Sequence, residues 1–524
     1  MFKGFFGTIL GLGLAGFCSA AELPAGKVVF HADFDSSDAL APWGSAPRGV
    51  SLGVGRSGTG LMITRSAAEG PGTVVVSTSL PVDSLLGCQV RCEAQVRADA
   101  VAEPPKPWNG IKVMLHTDSP SEGKRWDQQQ NVHGTFDWRT VRFTVWVPPD
   151  ATLARLILGL EDTRGRVWFD EVKVTVLKDP RDVSVVPART GPVFKGHDQP
   201  RLRGAMVQPD ISAESLRVLG SDWKANVLRW QLIRYVAPGK ETTLGEYDIW
   251  LENELAKLDR ALPLCAAQGV KVVVDLHSPP GGMRTQSGYI GSDGGLFTNS
   301  AAQAKFVAVW QHMARRYRDN PSVWGYDLAN EPVEEGDPGD GCDNWQALAT
   351  RAAKAIRAID SRHAIIVEPA PWGGPAAIRN LDPLPVEGVV YSVHMYVPHE
   401  FTHQGVQGQG DSVTYPGMIA GRAFDKSALR RTLQPVIDFQ ARHRVHVFVG
   451  EFSAIRWAPG ATDYLRDCIA LFEENSWDWT YHAFREYQGW SVEYGEKRED
   501  LQPAVATTDR QRLLLEWFGR NGSR

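Results

Sequence analysis

The chain has 524 residues, 43% of them hydrophobic and 22% charged, with a formal net charge of −5. That length asks for two domains rather than one. Charges of both signs are interspersed, with no basic stripe, which argues against nucleic acid as a partner.

From Met1 to about Ala20 the chain carries one lysine, an apolar run from Phe5 to Phe17, and then Cys18-Ser19-Ala20-Ala21. This is the pattern of a secretory signal peptide, residues 1–20, and it predicts a secreted protein, extracellular or periplasmic. No other stretch is apolar for long enough to span a bilayer, so no membrane span is expected. Five cysteines follow: Cys88, Cys92, Cys265, Cys342 and Cys468. Their odd number and spacing fit neither a disulfide scaffold nor a metal site. No metal and no cofactor are expected.

Residues 22–177 read as short strands separated by turns: Lys27–Phe30, Gly60–Thr64, Gly72–Thr78, Cys88–Val96, Gly110–His116, Arg139–Val147, Arg155–Leu160 and Arg166–Val176. The spacing predicts an all-β sandwich. Its closing phrase, Gly165-Arg-Val-Trp-Phe-Asp-Glu-Val-Lys-Val174, resembles the last strand of jelly-roll carbohydrate-binding modules, a likeness one strand long. The chain has 18 tryptophans. Core and interface packing takes part of them, and the rest are candidates for stacking on the C–H faces of sugars. In this region Trp43, Trp108, Trp126 and Trp138 are such candidates. Residues 178–200, with Pro180, Pro187, Pro192 and Pro200, read as a linker.

From residue 201 to 524 strands alternate with helices. The strands are read at Arg201–Gln208, Ala225–Leu232, Lys271–His277, Val323–Asn330, Ala364–Ala370, Val389–Tyr396, Val445–Phe452 and Trp477–Phe484. Apolar residues at helical spacing predict helices at Tyr247–Ala267, Ala301–Arg318, Trp345–Ile359, Leu429–His443, Thr462–Asn475 and Arg510–Phe518. Ser300 and Ser427 are read as caps. The expected fold class is α/β: a (β/α)8 TIM barrel preceded by an all-β jelly-roll sandwich. A doubly wound open sheet would want a glycine-rich phosphate turn after Gln208, and none is there.

Functional groups of such a barrel sit where its strands end. Those ends carry Arg229, Asp275 and His277, Asn330-Glu331, Glu368 with Trp372 beyond it, His394 and Tyr396, Glu451, and then Trp479, His482 and Trp490. Two glutamates facing each other across a barrel mouth suit acetal hydrolysis, in which one carboxyl protonates the leaving oxygen and the other works at the anomeric carbon.

Five phrases make this specific: Asn226-Val-Leu-Arg229, Asp275-Leu-His277-Ser-Pro-Pro-Gly-Gly282, Asn330-Glu331-Pro332, His394-Met-Tyr396 and Gly450-Glu451-Phe452. With them the barrel resembles glycoside hydrolase family 5, the cellulase family within a clan of retaining hydrolases. The resemblance implies Glu331 as general acid/base and Glu451 as nucleophile. It implies Asn330 on the 2-OH of the reacting sugar, Arg229 keeping the nucleophile ionised, Tyr396 orienting it, and His277 and His394 on sugar hydroxyls. One departure stands out. The family usually has a tryptophan on strand eight under the reacting sugar, and here His482 takes that place: either Trp479 or Trp490 takes over the stacking, or the subsite is built differently. The loop from His399 to Phe424 is a candidate cleft wall.

The expected function is a secreted, retaining hydrolase of β-linked glycans, endo-β-1,4-glucanase-like, working on a polysaccharide or oligosaccharide as a monomer. β-Mannanase, β-glucosidase or exo-glucanase action, and a non-catalytic carbohydrate-binding protein on the same barrel, are the alternatives. An esterase or metal-dependent deacetylase would want a Gly-x-Ser-x-Gly elbow or a metal cluster, and the sequence has neither.

Overall fold

Alternation of apolar and polar residues builds the first unit, Met1–Pro187, and repeating strand–helix pairs build the second, Ala188–Arg524. The computed structural model describes residues 26–36, 38–44, 46–180, 191–234, 243–282, 295–334, 338, 341–406 and 412–522. The segment read as a signal peptide, residues 1–20, lies outside the described residues.

Among the described residues of the first unit ten strands form two antiparallel sheets: β1 Lys27–Ala32, β2 Val50–Val54, β3 Thr59–Arg65, β4 Gly72–Ser79, β5 Gln89–Val101, β6 Gly110–Ser119, β7 Gly123–Gln128, β8 Gly134–Trp146, β9 Leu153–Thr163 and β10 Gly165–Lys178. One sheet runs β2-β3-β10-β5-β8, with β1 also on β10, and the other runs β4-β9-β6-β7. Their inner faces share one core, with Val90, Cys92 and Phe169 from the first sheet and Val113, Leu115 and Leu158 from the second. In β10 the inward set changes phase, from Val167 and Phe169 to Val172, Val174 and Val176. A bulge between Asp170 and Lys173, with Glu171 at φ 47°, absorbs the extra residue. Two strands, β2 and β7, escaped the sequence reading. Gly123-Lys-Arg-Trp-Asp-Gln has too little apolar alternation to announce a strand. Trp43 is corrected from sugar platform to core, since it is 3% exposed and packs against Phe30 and Phe34.

The second unit is a closed barrel of eight parallel strands: β11 Arg203–Val207, β12 Val227–Gln231, β13 Lys271–Asp275, β14 Val323–Asp327, β15 Ala364–Val367, β16 Val389–Met395, β19 Val447–Phe452 and β20 Asp478–Tyr481, with β20 returning to β11. A short hairpin, β17 Gly417–Ile419 and β18 Arg422–Phe424, lies in the loop after β16. Helices Leu244–Ala267, Ser300–Tyr317, Trp345–Arg357, Lys426–His443, Ala461–Glu474 and Asp509–Gly519 match the six predicted segments to within a few residues. The caps differ. Asn299 accepts from the backbone N–H groups of Ala301 and Ala302, and Asp425 from that of Ala428, so the capping side chains precede Ser300 and Ser427.

Alternation within each strand sorts side chains between two cores. Leu202, Val227, Val273, Trp324, Ala364, Ile366, Val390 and Phe448 fill the barrel's lower interior. Their neighbours face the helices. The segment read as the end of a linker covers this lower end. Lys195 O accepts from the Trp324 indole, and His197 meets Asp478 at 2.7 Å inside a fully buried pair. No helix among the described residues is long and apolar enough to cross a membrane.

Candidate active site

Two residues on from Val227, the same inward parity places Arg229 on the barrel axis. Its guanidinium is fully buried and meets four carboxylates. Nη1 donates to Glu451 Oε1 at 2.7 Å, Nε to Asp327 Oδ2 at 2.9 Å, and Nη2 to Glu368 Oε1 at 2.9 Å, while Asp275 Oδ1 lies 3.1 Å from Nη2. Nη2 also donates to Asn330 Oδ1 at 3.1 Å. Arginine suits this position because its planar fork offers five donors with fixed directions.

Four buried acids around one guanidinium leave the charge balance to burial and to the histidines beside them. Burial pushes the Asp327 carboxyl well above the usual range; Arg229 opposes this, and Glu368 and Asp275 reinforce it. Asp327 therefore holds its proton. Glu451 goes the other way: burial favours its neutral form, but His394, His482, Arg229 and His277 outweigh that and hold it well below the usual range. Burial also works against charge on His394, yet Glu368, Glu451 and Glu331 raise it well above an ordinary imidazole.

Glu331 sits one residue past Asn330 at φ 41°, a left-handed backbone that is uncommon for a residue with a Cβ. Its backbone N–H donates to Glu368 Oε2 at 2.8 Å, which fixes that turn. Its side chain is 24% exposed, against 5% for Glu451, so Glu331 is the glutamate open to the mouth. His394 Nδ1 lies 2.8 Å from Glu331 Oε1 and 3.8 Å from Glu451 Oε2. One carboxylate oxygen of Glu331, one of Glu451 and a ring nitrogen of His394 all lie within 4.8 Å of one another. A larger residue at 450 would not fit, because a Cβ there would stand 2.8 Å from Ser392 Oγ and 3.0 Å from His394 Nε2.

The Tyr396 hydroxyl donates to Glu451 Oε2 at 2.9 Å and lies 2.5 Å from His482 Nδ1. His277 Nδ1 is 2.8 Å from Asp275 Oδ2. Trp372 stands at the rim and is 45% exposed, its backbone N–H donating to Pro332 O. Trp490 is 7% exposed and backs the rings of His482, His403 and Tyr396, at centroid distances of 5.6, 5.0 and 6.3 Å.

Of the expected site residues, Arg229, His277, Asn330, Glu331, His394, Tyr396, Glu451 and His482 converge on the mouth, with Trp490 behind and Trp372 at the rim. Trp479 does not. It is fully buried, stacks on Phe518 at 5.6 Å and donates from its indole to Glu473. The reason is parity: Asp478, Thr480 and His482 face inward, so Trp479 faces the helices. Sequence reasoning missed Asp327, Gln231 and Glu486. Gln231 was legible by counting in twos from Arg229; Asp327 was not, because a bulge after Trp324 resets the inward phase of β14. Glu486 lies beyond the last strand, where no periodicity points, yet it accepts from Gln231 Nε2 at 2.6 Å and is 3.8 Å from His482 Nε2.

Comparison with known proteins accords with this geometry. The family model described as "Cellulase (glycosyl hydrolase family 5)" matches residues 192–488. Endoglucanase C of Acetivibrio thermocellus is 28% identical over 261 residues, covering 45% of this chain and 73% of that protein. Cellodextrinase A of Ruminococcus flavefaciens is 27% identical over 206 residues, covering 39% and 59% respectively. A crystal structure described only as a glycoside hydrolase superposes with a TM-score of 0.50 at 24% identity, covering 61% of this chain and 99% of that one, a likeness of fold. With more than half of its length matched by the family model, the chain belongs to the cellulase family, glycosyl hydrolase family 5, and is a glycoside hydrolase.

Proposed function

We propose that the barrel cleaves β-1,4-linked glucans internally, with retention of configuration, by double displacement. Glu451 attacks the anomeric carbon as Glu331 protonates the departing oxygen; Glu331 then deprotonates the water that releases the sugar. The observation that carries this reading is the closeness of the two glutamates, whose nearest oxygens are within 4.8 Å. Retaining enzymes hold their carboxyls about 5–5.5 Å apart, whereas inversion needs roughly 6.5–9.5 Å to admit a water between them. The division of labour follows from the electrostatics. Glu451 is held ionised by cations on three sides, and Glu331, more exposed, is hydrogen-bonded to His394. Asn330, fixed by Arg229, is placed to reach the 2-OH, and His277 another hydroxyl of the same sugar. Endoglucanase C and cellodextrinase A, by their names, favour a β-glucan.

The stereochemistry tests the mechanism. Proton NMR of a fresh digest of a cello-oligosaccharide is expected to show the β-anomer first, with the α-anomer growing in by mutarotation. An α-anomer in the first spectra would overturn double displacement. Rates on carboxymethylcellulose, mixed-linkage glucan, glucomannan and xylan would rank the substrates.

The chain is taken to be exported, on the apolar run from Phe5 to Phe17 and the small residues after it. The first unit is read as a jelly-roll carbohydrate-binding module, whose sugar face is the outer side of the four-stranded sheet. There Val113 and Leu115 point into the core, so Lys112, Met114 and His116 point out. Trp126 is 54% exposed with His116 stacked flat on it at 4.9 Å, and Trp108 is 51% exposed. Lys112 donates to Gln128 and Trp108 O and pairs with Glu161, a polar floor beside the two indoles. Trp126→Ala with Trp108→Ala in the full chain is expected to abolish retardation on a β-glucan gel while turnover of an aryl β-cellobioside stays within about twofold. Undiminished retardation would rule out this face.

A further inference from the structure

We propose that Glu486 is a positioning residue: through the ring of His482 it directs the single proton of the Tyr396 hydroxyl toward Glu451. The inference rests on the reading of Glu451 as nucleophile.

A phenol has one proton to donate, and here two groups are in reach, Glu451 Oε2 at 2.9 Å and His482 Nδ1 at 2.5 Å. Burial first, then Glu451 and Glu331, push the Tyr396 hydroxyl well above its ordinary range, so it keeps its proton. Ionised Glu451 can only accept. The outcome therefore depends on His482. If Nδ1 is bare, it competes with Glu451 for the phenolic proton from the shorter distance. If Nδ1 carries a hydrogen, it donates to the phenol oxygen, and the phenolic proton is left for Glu451.

A neutral imidazole carries hydrogen on one nitrogen only. With the Glu486 carboxylate 3.8 Å from Nε2, a neutral ring would place its hydrogen there and leave Nδ1 bare. The doubly protonated ring serves both sides at once. The groups facing it decide between these states. Glu451 Oε2 is 3.7 Å from Nδ1, Glu486 is beside Nε2, and Glu331 faces it from the β14 end. Among basic groups, His403 after β16 is neutral, pushed down to about 3 by burial and by its neighbours His399 and His482. His277 after β13 faces Glu486 and Glu451. Burial opposes charge on His482, and the three carboxylates raise it above an ordinary imidazole. Glu486 is itself held ionised: burial is outweighed by His482, Gln231 and His277.

Glu486 differs from the other two acids in one respect. Glu451 loses its charge when it becomes a glycosyl ester, and Glu331 cycles its proton. Glu486 does neither, so it keeps His482 charged throughout turnover. Trp490 behind the ring and Gln231 on the carboxylate hold the geometry.

The test is Glu486→Gln, which keeps the shape and removes the charge. Protonated His482 is lost as pH rises through its pKa, so a lower pKa brings the alkaline limb down. In the variant kcat/KM on an aryl β-cellobioside is expected to fall roughly three- to fivefold at pH 7.5, with the alkaline limb about one pH unit lower and near-normal rates at acid pH. Nitrogen-15 NMR of labelled histidine, with His482→Asn assigning the signal, should show both ring nitrogens protonated at pH 7 in the wild type and a downshifted titration in Glu486→Gln. A uniform loss with an unmoved limb, or a neutral His482 in the wild type at pH 7, would overturn the inference. The NMR reading does not depend on which glutamate is the nucleophile, so it separates failure here from failure of the proposed mechanism.

Discussion

Glu451→Ala is expected to lower kcat/KM on 2,4-dinitrophenyl β-cellobioside by about 10⁴-fold or more, equivalent to at least about 5 kcal/mol of barrier. The variant should remain folded, because the alanine leaves Arg229 with Asp327, Glu368 and Asp275 still around it. The loss has a specific cause. In the proposed mechanism no ester forms without the carboxylate, and a small anion could take the space it vacates. Azide is small enough to enter that space and carries the charge that Arg229, His394 and His482 are arranged to stabilise. Added azide is therefore expected to restore turnover and yield the α-glycosyl azide, with Glu331 still protonating or assisting the leaving group. Glu331→Ala should respond differently: the dinitrophenyl substrate, which needs no proton, stays comparatively fast, and azide gives the β-product. Wild-type-like rates in Glu451→Ala, or a β-azide from it, would sink the assignment of the two roles.

The same residues show how far periodicity carries a reading. Eight runs of apolar residues, each followed by a polar end and most by a helix, announce the barrel, because a parallel strand buried on both faces has to be apolar until it emerges. That is why Asn330-Glu331 and Gly450-Glu451 could be located before any geometry was known. Orientation is a finer matter. Trp479 and His482 lie three residues apart, so they point to opposite sides of β20, and an aromatic expected in the cleft is found against Phe518. The sandwich follows the same logic, where the regular alternation of β5 is legible and the polar edge strand β7 is not. Least legible is the charge balance. Asp327 and Glu486 are ordinary acids in the sequence; one is neutral and the other charged only because of what the fold places around them.

Arg229→Met is expected to be the most destabilising single change in the barrel. Methionine replaces the apolar stem and removes only the guanidinium, so the loss reports electrostatics rather than a cavity. What remains is Asp275, Asp327, Glu368 and Glu451 facing one another with no central cation. Removing one partner of a buried ion pair costs about 3–5 kcal/mol, since the other charge is left desolvated. For a domain of this size that corresponds to a fall in Tm of roughly 5–15 °C at pH 7. The pH dependence gives the cause. With the cation gone, the folded pKa values of these carboxyls rise above their unfolded values, so the variant gains stability as they take up protons and loses it as pH rises through those raised values. The gap to wild type should therefore narrow on going from pH 7 toward pH 4.5. Arg229→Lys, a cation without the fork, should fall between the two, because an ammonium cannot reach all four carboxylates in the directions that Nε, Nη1 and Nη2 do. A Tm for Arg229→Met within 2 °C of wild type at pH 7, or a gap that widens at acid pH, would show that the cluster is balanced by something other than Arg229. If the expected result holds, the buried cation is maintained for its effect on Glu451, since a hydrophobic core of equal volume would serve stability as well.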